Sequence, residues 1–480
     1  MLFNSIHYVL FLPIVVVAYF SIPAKYRWPL LLAASYYFYI CWKLEYIVLI
    51  VASTVIDYYA GIKIDSTEVR SVKKKYLIFS LLANLGILFS FKYFNFFNES
   101  IRDTLNAFNL FYNVPMFNVL LPVGVSFYTF QSLSYTIDVY RGQRAAEKHL
   151  GIFALYVAFF PQLVAGPIER STRLIPQLRK THEFNYEDCV EGLKQILWGY
   201  FKKLVVADRA AIYVNAVFNN PDRHTGATVL MAAFMFGFQL YSDFSGYSDI
   251  AIGSARIMGY RLMTNFKRPY FSASLREFWT RWHVSLSTWF KDYLYIPLGG
   301  NRVSRMRWYY NIFVTFAISG VWHGANWTFI FWGALHGFFL ILEDVFKLVK
   351  IKLKIPALFS EKNPLVKGFK ILLTFSVVNF AAIFFRAASI EDAFYMISKL
   401  LTLSGPMWIP RDDNIATLAF ALMGIGILLL SEAKQEYFDK RFSFFHHPNI
   451  IVRNLSYALL IVIIVLAGVF DGGQFIYFEF

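Results

Sequence analysis

WYYNIFVTFAISGVWHGANWTFIFWGALHGFFLIL, residues 308–342, decides how this chain is read. The stretch holds no Asp, Glu, Lys or Arg, and it exceeds the roughly 20 residues needed to cross the hydrocarbon core of a bilayer. Near its middle stands Trp322-His323-Gly324-Ala325-Asn326-Trp327. Burying an imidazole without a hydrogen-bond partner costs roughly 2–7 kcal/mol. Ionisable side chains in membrane segments are therefore rare, and they usually face a cavity and mark a functional site. His323 is the first candidate for chemistry.

The rest of the chain supplies the same solvent. Of 480 residues 57% are hydrophobic and 20% aromatic; 16% are charged, against about 25% in soluble domains. Mean hydropathy is +0.47. Apolar runs recur near 5–22, 28–42, 44–61, 76–97, 117–139, 150–166, 226–258, 309–342, 371–388, 414–431 and 453–470. They are continuous rather than alternating, so helices and not barrel strands satisfy the backbone in lipid. The fold expected is an all-α polytopic membrane protein in one domain, 1–480, with about eleven transmembrane helices plus re-entrant and interfacial ones. Pro122, Pro161 and Pro167 are expected kinks or breaks. The run from Ile6 to Ile22 lacks a basic flank and contains Pro13, so it reads as a retained helix rather than a signal peptide.

The net charge of +15 does not point to nucleic acid, because Lys and Arg collect in the cytoplasmic loops of membrane proteins and attract anionic headgroups. Segments 62–75, 261–307 and 343–370 carry that excess and are assigned to the cytoplasm. The 309–342 run then has cytoplasmic flanks on both sides, so it is expected to turn back within the membrane near His323. Two cysteines, Cys41 and Cys189, support neither a disulfide framework nor a Cys-based metal site. His283 and His323 lack a closely spaced third ligand, so no metal is expected. The stretch 193–220 reads either as an amphipathic helix at the interface or as a short helix inside the bundle.

Three further stretches carry polar chemistry. Residues 276–302 are too charged to span lipid yet rich in tryptophan. A single helix there would put Trp279, Trp282, His283 and Phe290 near one face, ending at the turn Pro297-Leu298-Gly299-Gly300-Asn301. Composition alone favours an interfacial aromatic anchor with a hydrogen-bonded His283. Residues 239–249 place Asp243 and Asp249 in an apolar run; six residues apart they do not share a helix face, so a structural polar network is expected instead of a shared acid–base site, with pairing to Arg or orienting a histidine as the alternatives. Residues 159–170, with Pro161, Gly166 and Pro167, read as a broken or re-entrant segment. His336, thirteen residues beyond His323, falls off its face at about 100° per residue and reads as a packed histidine. His446 and His447 read as solvated.

Together, Pro122-Val123-Gly124-Val125-Ser126-Phe127-Tyr128-Thr129-Phe130-Gln131, the Gly166-Pro167 turn, the Tyr241-to-Asp249 block, Arg281-Trp282-His283 and Trp322-His323-Gly324 resemble the membrane-bound O-acyltransferase (MBOAT) superfamily. The likeness is strongest to its bacterial branch acting on alginate and lipoteichoic acid. The aromatic stretch Phe475-Ile476-Tyr477-Phe478-Glu479-Phe480 resembles the alginate type. The resemblance implies a ring of membrane helices around a thinned centre, a cytoplasmic tunnel for the acyl donor and an outer opening for the acceptor. It makes His323 catalytic and His283 the second characteristic histidine.

On that reading a neutral histidine removes the proton of an attacking hydroxyl, a role worth about 10²–10⁴-fold. His323 is the expected base, and His283 is expected to position the donor thioester. Asn326 is expected to orient His323 or stabilise the oxyanion. Trp282, Arg281, Lys291 and Arg302 complete the expected substrate-binding set, the three cations facing an anionic donor. No cofactor is expected to be resident. Acetyl-CoA or an acyl-carrier thioester would be the donor, and an extracytoplasmic polysaccharide the acceptor. The acyl group would be relayed through an SGNH-type partner carrying a serine hydroxyl. A flippase for a lipid-linked sugar is the rival reading, but its signature of inverted repeats or paired half-helices is missing from the sequence. A scaffold for polysaccharide export explains the aromatic anchors but not His323.

Overall fold

The computed structural model describes residues 1–117, 122, 124–164, 166–353, 363–409, 414–438, 447–470 and 475–476. Parts of the expected motifs at Val123, His446 and 477–480 lie outside the described residues. The regular secondary structure among the described residues is helical throughout, as a medium without competing hydrogen-bond partners demands. Contacts group the chain into two units, 1–196 with 250–263, and 197–249 with 264–480.

The first unit contains α1 (Ile6–Ser21), α2 (Arg27–Ile40), α3 (Ile47–Asp65), α4 (Arg70–Leu88), α5 (Phe94–Ala107), α6 (Val125–Tyr140), α7 (Leu150–Ala158), α8 (Phe160–Leu163), α9 (Ser171–Arg179) and most of α10 (Tyr186–Tyr200). Its polar centre is Asp57 on α3, fully buried. The carboxylate accepts hydrogen bonds from Ser80 and Ser132 hydroxyls and from the Asn84 amide. The expected break lies at Phe159, between α7 and α8. There the Tyr156 carbonyl, freed from the helix ladder, accepts the side-chain amides of Gln131 at 2.5 Å and Gln162 at 2.8 Å. The Phe160 amide donates to Ser35 Oγ at 3.0 Å. A broken helix survives at this depth because protein side chains replace the lost backbone partners.

The second unit contains α11 (Asp208–Phe218), α12 (Gly226–Ile257, whose end belongs to the first unit), α13 (Leu275–Arg281), α14 (Val284–Phe290), α15 (Arg305–His323), α16 (Trp327–Lys352), α17 (Pro364–Arg386), α18 (Ile390–Thr402), α19 (Asn414–Tyr437) and α20 (Ile450–Ala467). Between α10 and α11 a wide turn, Phe201–Ala207, is buried at every residue. Of the two readings for 193–220, the packed one holds for this turn. It carries two lysines into the core, and these find the carboxylates of α12. Lys203 Nζ lies 2.7 Å from Asp243 and 2.9 Å from Asp208; Lys202 Nζ lies 2.5 Å from Asp249. Asp243 and Asp249 therefore belong to a structural polar network, as expected, with lysines rather than an arginine or histidine as partners. Buried charges persist when paired and hydrogen-bonded.

Among the described residues seven helical stretches are long and apolar enough to cross a membrane: Leu44–Asp65, Arg70–Ala107, Gly226–Ile257, Trp327–Lys352, Pro364–Arg386, Ala416–Tyr437 and Ile450–Ala467. Each matches an expected run. The four other expected runs form shorter helices, α1, α2, α6 and the broken α7–α8. The expected count of eleven is thus not reached by this measure. In α6 the apolar run is interrupted by Ser126, Thr129, Gln131, Ser132, Ser134, Thr136 and Asp138, all buried.

The 309–342 run turns back as expected, through the three-residue link Gly324-Ala325-Asn326 between α15 and α16. Glycines set how closely the two helices meet. A Cβ on Gly320 would lie 2.2 Å from the Phe329 carbonyl oxygen, and one on Gly333 would lie 2.3 Å from the Phe316 carbonyl oxygen. Both obstacles are backbone, so neither can move aside cheaply. Gly333→Val is expected to separate the hairpin, lowering the detergent melting temperature and membrane abundance well below wild type. Gly86→Val, where an added Cβ meets nothing within 4 Å, is expected to leave both unchanged.

Candidate active site

His323 ends α15 and is 3% exposed. The hairpin link behind it is held by Asn326, whose Oδ1 accepts the Thr328 amide at 3.0 Å and caps α16. The Asn326 Nδ2 donates to the Ala388 carbonyl at 3.3 Å. Asn326 thus holds the hairpin link and ties it to the segment between α17 and α18, while its second amide N–H is not used by these bonds. Around the His323 ring stand Trp322, Trp332 and Phe385, with centroids at 5.0, 4.9 and 5.4 Å, all edge-on. Trp332 also meets His336 at 4.9 Å and Trp279 at 6.0 Å. His336 is packed, as expected, but the helical angle used to separate it from His323 does not apply. The link at 324–326 starts a new helix, and the fold-back brings both histidines against Trp332.

His283 departs further from expectation. The single helix across 276–290 is broken, with α13 ending at Arg281 and α14 beginning at Val284. His283 sits between them at φ 41°, ψ 54°, a left-handed conformation that costs a non-glycine residue on the order of 1–3 kcal/mol. Asn265 holds it there. The Asn265 carbonyl accepts the Val284 amide at 2.9 Å. Its side-chain Oδ1 accepts the Ser285 amide at 3.2 Å and the Ser285 hydroxyl at 2.9 Å, and lies 3.1 Å from His283 Nδ1.

These contacts fix the tautomer. A backbone N–H can only donate, so the atom facing Ser285 is the amide oxygen, and an oxygen facing Nδ1 requires the proton on Nδ1. His283 is 1% exposed, and burial lowers its pKa from 6.5 to about 3. The ring is neutral, with its lone pair on Nε2. Phe244 meets it edge-on at 4.5 Å, and Trp322 lies at 6.2 Å. One indole, Trp322, therefore touches both characteristic histidines.

A cavity of about 430 Å³ lies in the same unit, bordered by α13, α14 and α15. Arg276, Lys291, Tyr295, Trp279, Thr315 and Ser319 are among its lining residues. Ser319 stands one turn before His323 on α15, so the lining of the cavity ends one helical turn short of His323. Of the expected cations only Lys291 lines it. Arg281 is held by Glu277 at 2.6 Å and Glu436 at 2.8 Å, so its charge is already met and it braces α13 against α19. Arg302 is exposed in the loop before α15. Trp282 is 5% exposed and packs on Phe278, Phe266 and Tyr241, which makes it core rather than a substrate contact. Asn265, Trp332, Phe385 and Arg276 were not nominated from sequence. Asn265 and Phe385 reach the histidines through tertiary contacts that leave no local pattern, and Arg276 had been read only as loop charge. Among the described residues no cluster of three or more His, Cys, Asp or Glu could hold a metal ion.

Comparison with known proteins identifies the family. The family model for MBOAT, the membrane-bound O-acyltransferase family, matches residues 31–374. Over 451 residues the chain is 39% identical to the Pseudomonas aeruginosa protein named "Probable alginate O-acetylase AlgI", covering 93% of this chain and 83% of that protein. It is 35% identical over 439 residues to the "Peptidoglycan O-acetyltransferase" of Helicobacter pylori, covering 84% and 80%. A more distant likeness, 28% over 294 residues, is to the "Teichoic acid D-alanyltransferase" of Streptococcus thermophilus, covering 55% and 68%. With a family match across most of its length and a histidine buried at the tip of a membrane hairpin, this chain belongs to the membrane-bound O-acyltransferase family and is a multi-pass membrane O-acyltransferase.

Proposed function

We propose that this protein transfers an acyl group, acetyl in the first instance, from a cytoplasmic thioester to a hydroxyl on the far side of the membrane, for O-acetylation of an extracytoplasmic polysaccharide. The observation that carries the reading is His323, buried at a hairpin tip whose first helix, α15, also lines a cavity with hydroxyls and two cations. The acetyl and polysaccharide assignments come from the relatives, whose names specify alginate and peptidoglycan O-acetylation.

In this mechanism His323 accepts the proton of the acceptor hydroxyl as its oxygen attacks the thioester carbonyl. The C–S bond then breaks, and the sulfur leaves with a proton. Low dielectric around Trp322, Trp332 and Phe385 strengthens each electrostatic contact at the reacting atoms. Holding donor and acceptor together supplies roughly 7–11 kcal/mol of the barrier. Neutral His283, with its lone pair on Nε2, positions the donor, and Arg276 and Lys291 meet its anionic end. Acetyl-CoA and an acyl-carrier thioester both suit that description. Delivery to the polymer goes through an SGNH-type partner that supplies a serine hydroxyl.

His323→Ala is expected to insert normally and to lower O-acetyl on the exported polymer by about 10²–10⁴-fold in rate. Unchanged acetylation at equal membrane abundance would sink the assignment. A second expectation follows from His283. In the unfolded chain its imidazole takes a proton near pH 6.5, but in the folded chain only near pH 3. Between those values the unfolded state binds more protons, so this group's contribution to stability falls as pH drops from about 6.5 toward 3. Detergent melting temperatures measured across that window are expected to fall less steeply in His283→Asn than in wild type.

A further inference from the structure

Phe475 and Ile476, beyond α20, are buried to 0% and 4% exposure in the second unit. The Ile476 amide donates to Asp243 Oδ2 at 2.7 Å. Asp243 Oδ1 is held by Lys203, also at 2.7 Å, so one carboxylate clamps this segment to the buried turn 201–207. The end of α20 is tied to the same region. The Val469 amide donates to the Leu204 carbonyl at 3.1 Å, and Arg209 donates to the Ala467 carbonyl at 2.6 Å. The clamp is made through backbone at Ile476, leaving the Phe475 ring as the sequence-specific part.

That ring lies 4.5 Å from Tyr247 and 5.5 Å from Phe244. Phe244 is the ring that meets His283 edge-on at 4.5 Å, with an interplanar angle of 87°. Asn265 holds the imidazole at Nδ1, and Phe244, Phe266 and Trp322 pack around the ring. Phe244 makes the nearest of these ring contacts, and it is backed in turn by Phe475 and by Phe266, at 5.1 Å.

We propose that Phe475 is a positioning residue for the acyl transfer, acting through Phe244 to fix the ring of His283. The proposal rests on the reading of His283 as part of the active site. Its physical basis is packing. Removing a buried ring leaves a cavity into which neighbours relax incompletely, and a displacement of about 1 Å at a reacting group can cost on the order of 10²-fold in rate.

The test is a double-mutant cycle in the full chain, expressed in cells lacking the native copy. Incorporation of radiolabelled acetyl into exported polymer is measured at matched membrane abundance. Phe475→Ala is expected to lower the rate about tenfold, and Phe475→Met, which refills much of the volume, to recover most of it. His283→Asn is expected to lower the rate as well, and Phe475→Ala is expected to add little in that background. An equal fold-loss from Phe475→Ala in both backgrounds would show a general packing role and overturn the proposal, as would a normal rate for Phe475→Ala alone. A normal rate for His283→Asn would overturn the reading of His283 itself. Should Phe475→Ala fail to accumulate, Phe475→Leu carries the same comparison.

Discussion

The contact on which the site depends is backbone against backbone. α15 and α16 approach so closely at Gly320 and Gly333 that no side chain fits between either residue and the opposing carbonyl. This approach folds an uncharged run of sequence back on itself and leaves His323 at the tip, against Trp332 of the returning helix. Small residues at a helix contact are a common way to gain packing where lipid offers no hydrophobic contrast. Here they also set a depth. The hairpin begins and ends in basic sequence, and His323 stands at the end farthest from it.

The same lack of water explains the rest of the polar architecture. Each buried ionic or broken element brings its own partner. In the first unit two glutamines serve the carbonyl at the α7 break, and three polar side chains serve Asp57. In the second unit Lys202 and Lys203 answer the carboxylates of α12, and Asn265 serves three donors at the left-handed His283 turn. The His283 turn is the strained element among these. The strain is borne by hydrogen bonds from a residue eighteen positions away, so the ring's orientation is a property of the fold and not of its own helix.

Much of this was legible in the residues. Hydropathy and the placement of Lys and Arg gave the membrane class and the reversal of the 309–342 run. Pro161 and Gly166 marked a broken segment, and the apolar run around His323 marked a buried histidine. The errors share a cause. Arg281 was expected to meet a donor because its charge was visible in the sequence while Glu436, its partner on α19, was not recognisable as such. Trp282 was grouped with substrate contacts because aromatic density at an interface and aromatic density in a core look alike in one dimension. The helix through His283 was drawn unbroken because helical periodicity continues across a residue whose backbone is turned by distant hydrogen bonds.

What the sequence alone determined, then, is the solvent, the helical class and the identity of the buried histidine, because these follow from local composition and from the cost of placing charge in lipid. What only the tertiary structure decided is which cations remain available, which nitrogen of His283 carries the proton, and which rings close around His323. Those depend on pairings between residues far apart in the chain. Burial makes each such pairing nearly obligatory, but no local pattern announces the partner.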